Sequence, residues 1–356
     1  MTTAFGTPLA IAEAMLRVPP PAVTEREARA ILHLHYDLRA RVRLLTGERD
    51  RNFEIEDDTG RKSVLKIYNA SDDAEARAMQ HGALGHIHAR APECPVPQVL
   101  PTRTGDEEAL VRHQGKTVAA VVISRLPGES PASTDLTPAL RHELGRVVGR
   151  LSLALADFHH PGAERMILWD MMNVASLRPL ADLIDRPARR AAILTWIDHF
   201  STVTHPATNA LPRQAIHNDL SMSNLLVDPV LRQTVTGVID FGDLVVAPRI
   251  NDFAVAASYF IRPEGDLVQQ IAEILCGAGP ELRLLPEEVR LVPDLIRARL
   301  VTRILLSGWR ARLFPENRDY ILRSNLSAWE MWETLQGCDL TDMAERLVRR
   351  FKDVHA

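Results

Sequence analysis

Two stretches decide the fold of this chain: His217-Asn218-Asp219-Leu220-Ser221-Met222-Ser223-Asn224 and, after one predicted hairpin, Val238-Ile239-Asp240-Phe241-Gly242-Asp243. Short apolar runs at 214–217, 225–228 and 234–240 predict strands, and helical patterns surround them on both sides. The two motifs therefore place acids and an amide directly after strand ends, where loops can present them.

Phosphoryl transfer needs a carboxylate that orients the attacking hydroxyl and accepts its proton, and hard oxygen ligands that hold Mg²⁺ across the phosphates. Asp219, Asn224 and Asp240 supply that set. The acid and the amide can reach opposite sides of one loop, and the second acid can meet the amide at a shared metal. A cation for the donor phosphates is also required, and Lys66 is the one lysine centred in an apolar strand.

H-x-D-x-x-x-x-N followed by I-D-F-G-D resembles the phosphotransferase enzyme family of aminoglycoside, choline and homoserine kinases. The hydroxylysine kinase branch resembles this chain further in residues 50–53, 64–67, 155–160, 169–170 and 235–243. The likeness extends over nearly the whole chain. It implies a protein-kinase-like fold and an enzyme that phosphorylates an alcohol group, with ATP or GTP as donor and Mg²⁺ as cofactor.

The predicted fold class is α+β: a bilobal protein-kinase-like fold whose N-terminal lobe has an antiparallel sheet with one long helix, and whose C-terminal lobe is mostly helical. Thr24 and Glu27 form a capping box before the second of two N-terminal helices. The predicted regions are N-terminal helices at 1–40, a nucleotide-binding lobe at 41–126, and a helical lobe at 127–356 with the catalytic loop 217–224 and the metal motif 239–243.

The resemblance assigns a role to each motif residue. Asp219 is the catalytic residue, Asn224 and Asp240 are the metal ligands, and Lys66 binds the donor phosphates. His217 braces the catalytic loop instead of reacting. Asp243 either supports the metal and substrate site or caps the helix that begins near residue 250.

Further nucleotide-binding residues are expected in the N-terminal lobe. Kinases usually pair the strand lysine with a glutamate on the following helix, and Glu75 is the only acid on the body of that helix. It lies in the first turn, where an acid also favours the helix dipole, so both roles stay open. Ser124 and Leu126 fall where relatives place the hinge that binds the purine ring, which implies binding through their backbone groups.

The acceptor is predicted to be a small amino acid or amino alcohol, with hydroxylysine as the best guess. Residues 251–356 contain 16 Asp+Glu against 14 Lys+Arg, so this helical region has no surplus of acid for a polycationic aminoglycoside. Asp170 beside Trp169 offers one acid with an aromatic face for a single ammonium group. The alternative is a core tryptophan next to a helix-capping acid. Aminoglycosides, choline, ethanolamine and homoserine remain alternative acceptors.

Composition and motif spacing disfavour several other classes of protein. The chain has 356 residues and a net charge of −4, too small for a nucleic-acid groove or a polybasic membrane segment. Three widely spaced cysteines fit neither a disulfide framework nor a zinc site, which favours a cytoplasmic location. A catalytically silent, nucleotide-binding pseudokinase stays an alternative; it predicts the loss of one or more of the four motif residues, and all four are present. A protein kinase would need a long segment after Gly242, where a helix is predicted almost at once.

Overall fold

The computed structural model describes residues 8–47, 49–280, 282–323 and 325–355, and the chain divides after Pro127 into two units. Residues 1–7 of the predicted N-terminal region lie outside this description. The predicted α+β class is confirmed, because an antiparallel sheet comes first and a mostly helical part follows. In the ranges given, no helix has both the length and the apolar composition that a membrane span requires.

The first unit is built on a six-stranded antiparallel sheet. Its strands are β1 (Ala40–Leu44), β2 (Arg51–Asp57), β3 (Lys62–Ile67), β4 (Val99–Leu100), β5 (Ala109–His113) and β6 (Lys116–Ser124). They run in the order β1-β2-β3-β6-β4, and β5 also pairs with β6. The helices of this unit are α1 (Pro8–Leu16), α2 (Glu25–Tyr36) and α3 (Ala74–Arg90). Strand β3, which carries Lys66, therefore lies inside the sheet between β2 and β6.

The core of this unit lies between α2 and one face of the sheet. Ile31 and Leu32 of α2 are buried together with Leu65 and Ile67 of β3. The predicted capping box of Thr24 and Glu27 is present at the start of this helix. Because side chains alternate along a strand, Lys66 lies on the opposite face. The sequence assigned residues 1–40 to a region of their own, but the apolar stripe of α2 makes it part of the sheet core.

The second unit is mostly helical. Its helices are α4 (Pro138–Ala154), α5 (Pro187–His199), α6 (His205–Asn209), α7 (Ile250–Phe260), α8 (Leu267–Gly277), α9 (Pro286–Leu313), α10 (Arg318–Leu322), α11 (Asn325–Gln336) and α12 (Leu340–His355). Two small antiparallel ladders lie among them, β7 (Arg213–Ile216) with β10 (Val245–Pro248), and β8 (Leu225–Val227) with β9 (Val235–Val238). Helix α9 packs against α7, α11 and α12.

Candidate active site

The predicted catalytic loop connects β7 to β8. Asn218 has a left-handed backbone conformation, with φ of +65°, which asparagine adopts more readily than most residues. A 3₁₀ turn, Met222–Asn224, ends the loop. Asn224 Nδ2 lies 2.6 Å from Asp219 Oδ2 and 3.0 Å from the Asp219 carbonyl oxygen. The acid and the amide are therefore in contact, instead of lying on opposite sides of the loop as expected, because the turn folds the chain back on itself.

A buried carboxylate from helix α7 fixes the start of this loop. Asp252 Oδ2 accepts a hydrogen bond from the His217 backbone N–H at 2.9 Å, and Oδ1 accepts one from the Asn218 N–H at 2.7 Å. The side chain is 2% exposed, and this burial raises the pKa of the Asp252 carboxyl. Two bonds from one rigid side chain set the direction in which the loop leaves β7.

His217 braces the loop from inside, as the sequence predicted. It is fully buried, its Nδ1 accepts the Asp219 backbone N–H at 3.2 Å, and its Nε2 lies 3.1 Å from the Ile239 carbonyl oxygen. An acceptor at Nδ1 requires the proton on Nε2, so the ring is neutral and donates to Ile239. The ring also packs edge-on against Phe241, at 4.6 Å between centroids. The histidine thus links the catalytic loop to the metal motif.

Both carboxylate oxygens of Asp219 have a donor. Arg299 Nη2 of helix α9 lies 2.6 Å from Asp219 Oδ1, and Asn224 donates to Oδ2. The arginine side chain is 1% exposed and the aspartate side chain 25% exposed. Arg299 Nη1 also donates to the Trp169 carbonyl oxygen at 2.7 Å. A buried guanidinium with two fixed acceptors cannot easily change rotamer, so the exposed edge of Asp219 is held in one orientation.

The metal motif begins with a strained aspartate. Asp240 has a left-handed φ of +64° and is exposed, and its Oδ1 accepts the Gly242 N–H at 3.3 Å. Asp243 follows it in the same 3₁₀ turn, Phe241–Asp243. Burial, together with the carboxylates of Asp219 and Asp240, raises the pKa of Asp243 to about 7. The carboxylates of Asp219 and Asp240 therefore repel the carboxylate of Asp243.

The residues present fit a divalent cation of the Mg²⁺ type. The Nδ2 of Asn224 is used on Asp219, which leaves its Oδ1 as the ligand atom, and Asp240 supplies a carboxylate, so the donors are hard oxygens. The repulsion that raises the pKa of Asp243 is of the kind that a nearby cation removes. Among the described residues, no three His, Cys, Asp or Glu side chains converge as a metal site. An ion would thus also need the amide and oxygens from phosphate or water.

Lys66 lies in the first unit, where it contacts a carboxylate and an aromatic ring. Its Nζ is 2.9 Å from Asp50 Oδ2, and it lies 4.8 Å from the centre of the Tyr68 ring. Asp50 in turn accepts the Asn69 backbone N–H. The ion pair that the structure gives for Lys66 is thus with the β1–β2 loop. Glu75 is exposed in the first turn of α3, near the capping residue Asp73, a position that fits the helix-dipole role. A role of Glu75 at the nucleotide stays a prediction.

The two hinge candidates lie at the end of β6. The Ser124 backbone N–H donates to the Gln98 carbonyl oxygen, and the Ser124 Oγ accepts the Gln98 N–H. This strand-like pairing uses the Ser124 amide within its own unit. Leu126 follows in the connection that ends the unit and is half-buried. Purine binding by these backbones stays a prediction.

Trp169 and Asp170 lie in the segment whose backbone accepts a hydrogen bond from Arg299. Asp170 is buried and caps the 3₁₀ segment Met171–Leu183 by accepting the Met172 N–H at 2.9 Å, and burial raises the pKa of its carboxyl. Trp169 is half-buried instead of belonging to the core, and the Arg299 guanidinium lies 5.4 Å from its ring centre. The capping role is therefore observed, and ammonium binding by this pair stays a prediction.

The sequence reasoning missed the roles of Asp252 and Arg299. For Asp252 the sequence alone favours only a capping role, because the residue lies at a predicted helix start. Arg299 offers a usable signal: with Arg297 and Arg303 it stands among the apolar residues of 295–306, in a region predicted to be helical. A charge that is buried among apolar side chains needs a partner. The sequence does not identify Asp219 as the partner of Arg299, because the two residues are 80 positions apart.

Asp252→Asn is expected to lower the free energy of unfolding by about 2 kcal/mol and the turnover rate by tenfold or more, because an amide offers one acceptor where two buried N–H groups need one each. Chemical denaturation and a kinase assay measure the two effects. Asp339→Asn is the matched control, since Asp339 also accepts two backbone N–H groups at a helix start but is exposed. Equal effects at the two positions would contradict the loop-positioning role.

Three comparisons relate this chain to known proteins. Residues 40–285 match the model of the phosphotransferase enzyme family. Hydroxylysine kinase of Mus musculus is 24% identical over an alignment of 352 positions that covers 92% of this chain and 92% of the relative. Among solved structures, the amicoumacin kinase complex with AMP-PNP and Ca²⁺ has a TM-score of 0.64 at 16% identity, covering 94% of this chain and 93% of that one. A microcompartment-associated aminopropanol kinase has a TM-score of 0.60 at 19% identity, covering 88% and 99%.

The structural likeness confirms the kinase-like fold, and the family match extends over well more than half of the chain. It includes the strand with Lys66, the loop with Asp219 and Asn224, and the turn with Asp240. We conclude that the chain belongs to the phosphotransferase enzyme family.

Proposed function

We propose that this protein is a small-molecule kinase that transfers the γ-phosphoryl group of ATP or GTP to the hydroxyl of an amino acid or amino alcohol. The observation that carries the proposal is Asp219, a partly exposed carboxylate whose two oxygens are fixed by Arg299 and Asn224. A carboxylate held in this way has the rigidity that a positioning residue for a hydroxyl group needs.

In the proposed reaction, Asp219 accepts a hydrogen bond from the acceptor hydroxyl and directs its oxygen towards the γ-phosphorus. A new phosphorus–oxygen bond forms, the bond to the β–γ bridging oxygen breaks, and the hydroxyl proton passes to Asp219. The products are the phosphorylated acceptor and a nucleoside diphosphate. Because little covalent chemistry falls to the protein, positioning and charge neutralisation supply the catalysis.

The donor phosphates are assigned to Lys66, and Asn224 and Asp240 are assigned to the metal. When bound there, Mg²⁺ would neutralise charge on the phosphate oxygens. The raised pKa of Asp243 supports this assignment, because the site carries an excess of carboxylates before a cation binds. We also assign Ser124 and Leu126 to the purine ring. We propose a cytoplasmic location, supported by three cysteines that are odd in number and widely spaced in the sequence, which does not fit a disulfide framework.

Hydroxylysine is the acceptor we test first. The relatives that match over 92% of this chain are named hydroxylysine kinases, and identity near 24% leaves room for a different small acceptor. The near balance of acids and bases in residues 251–356 disfavours a polycationic aminoglycoside. Trp169 and Asp170 are retained as candidate contacts for an ammonium group.

The test is release of nucleoside diphosphate from Mg·ATP or Mg·GTP in the presence of hydroxylysine, homoserine, choline, ethanolamine or kanamycin in turn. We expect release that depends on an acceptor and is fastest with hydroxylysine. Release at the same rate with and without every acceptor, or nucleotide binding without any release, would contradict the kinase proposal. The second outcome would favour a nucleotide-binding pseudokinase.

A further inference from the structure

Helix α3 contacts the lysine-bearing strand through a histidine. His81 lies on the buried face of α3 and is 3% exposed. Its Nε2 is 2.9 Å from the hydroxyl of Tyr68, and the two ring centroids are 5.9 Å apart. Tyr68 directly follows β3 and is two residues from Lys66, so both side chains lie on the same face of the strand.

The Tyr68 ring is the aromatic neighbour of the Lys66 ammonium group, at 4.8 Å from Nζ to the ring centre. The attraction between an ammonium and an aromatic face depends on the orientation of the ring. A second cation, Arg77 of α3, lies 5.6 Å from the same ring centre and is held by both carboxylate oxygens of Glu108. The hydrogen bond between the Tyr68 hydroxyl and His81 therefore fixes the orientation of a ring that lies beside two cations, Lys66 and Arg77.

The surroundings of His81 keep it suitable for this task. Burial is the main cause that lowers the pKa of His81 to about 4. The positive charges of Lys66 and Arg77 lower this pKa further, whereas the negative charge of Glu108 raises it. The ring is thus neutral near pH 7 and adds no positive charge beside Lys66. Tyr68 is also buried, and this burial raises its pKa to about 12, so its hydroxyl keeps its proton.

We propose that His81 and Tyr68 position Lys66, so that helix α3 is coupled to the phosphate-binding lysine through a tyrosine–histidine pair. Kinases usually make this connection with a carboxylate from the same helix, but here Glu75 is exposed in the first turn. The inference rests on the proposed role of Lys66 at the donor phosphates. His81 and Tyr68 are positioning residues and do not touch the reacting atoms.

The experiment measures the dissociation constant of Mg·ATP or Mg·GTP by calorimetry, and the acceptor KM, in variants of the full chain. Tyr68→Phe keeps the ring and removes the hydroxyl, and His81→Leu keeps the volume and removes the partner. We expect each to raise the nucleotide dissociation constant about fivefold, which corresponds to about 1 kcal/mol, without changing the acceptor KM. The double variant should be no weaker than either single one. His81→Gln, which can still hydrogen-bond Tyr68, should bind within about twofold of wild type.

His88→Leu is the matched control, because His88 is also an α3 histidine with one hydrogen bond, to the Pro97 carbonyl oxygen, but lies outside the pair. If Lys66→Ala binds nucleotide as wild type does, the proposed function fails. If Lys66→Ala weakens binding while Tyr68→Phe and His81→Leu do not, the inference alone fails. A larger effect of Glu75→Gln than of His81→Leu would also overturn it. Tyr68→Phe decides the question if His81→Leu does not fold.

Discussion

Asp219→Asn is expected to lower kcat by about 10³-fold and to leave nucleotide affinity within about twofold of wild type. An amide oxygen can still accept a hydrogen bond from Arg299, but the amide has no basicity, so it cannot take the proton of the acceptor hydroxyl. It also places an N–H₂ donor beside the donor Nδ2 of Asn224, or, if it rotates, beside Arg299. Steady-state kinetics with the preferred acceptor, together with nucleotide titration, separate the two effects.

The control for this variant is Asp228→Asn. Asp228 lies in the same unit and accepts the N–H groups of Val230 and Leu231 in the β8–β9 turn, a function that asparagine also performs. We expect unchanged kinetics. A kcat for Asp219→Asn within tenfold of wild type, in a protein that melts normally, would remove Asp219 from the catalytic role.

Asp240→Asn is expected to abolish turnover, by about 10³-fold or more, and to raise the concentration of Mg²⁺ needed for half-maximal activity. The asparagine tolerates the left-handed φ of +64° and can still accept the Gly242 N–H, so the loss would come from the missing charge. Activity measured across a Mg²⁺ titration, with melting temperature alongside, tests this expectation.

Asp240→Ala should lose the same activity and, in addition, about 1 kcal/mol of stability, because alanine is disfavoured at positive φ. Asp37→Ala is the control for that cost. Asp37 is an exposed aspartate with a φ of +53° at the end of α2, far in sequence from the proposed site, and should lose stability but no activity. Undiminished turnover of folded Asp240→Asn at every Mg²⁺ concentration would refute the metal assignment.

Local patterns predicted most of the elements that form from neighbouring residues. The meander around Lys66, the capping box of α2 and the helical second unit were all expected. Strand β10 was missed, because four residues ending in Pro248 carry little signal and its pairing with β7 is decided by tertiary contact. The 3₁₀ segment Met171–Leu183 has no periodic signature of its own. The helical pattern of the sequence continues over 137–160, but the helix ends at Ala154, and residues 155–158 turn instead.

The candidate site divides in the same way. The sequence identifies three candidate site residues, Asp219, Asn224 and Asp240, because each belongs to a short motif of recognisable chemistry. The hydrogen bond between Asp219 and Asn224 depends on a turn that the spacing of the motif does not reveal. Lys66 contacts Asp50 and Tyr68, whereas the sequence suggested Glu75 as its partner. The orientation of each side chain depends on how turns and loops fold in three dimensions, which one sequence taken alone does not reveal.

Arg299 gives the family assignment a practical limit. The matched segment ends at residue 285, whereas the guanidinium that orients Asp219 lies 14 residues beyond it, on helix α9. A fragment trimmed to the matched segment would retain the motifs around Lys66, Asp219 and Asp240 and would lose the side chain that holds the proposed catalytic carboxylate. Motif completeness and catalytic competence are therefore separate properties in this chain, and surveys that infer activity from signatures alone would count such a fragment as an enzyme.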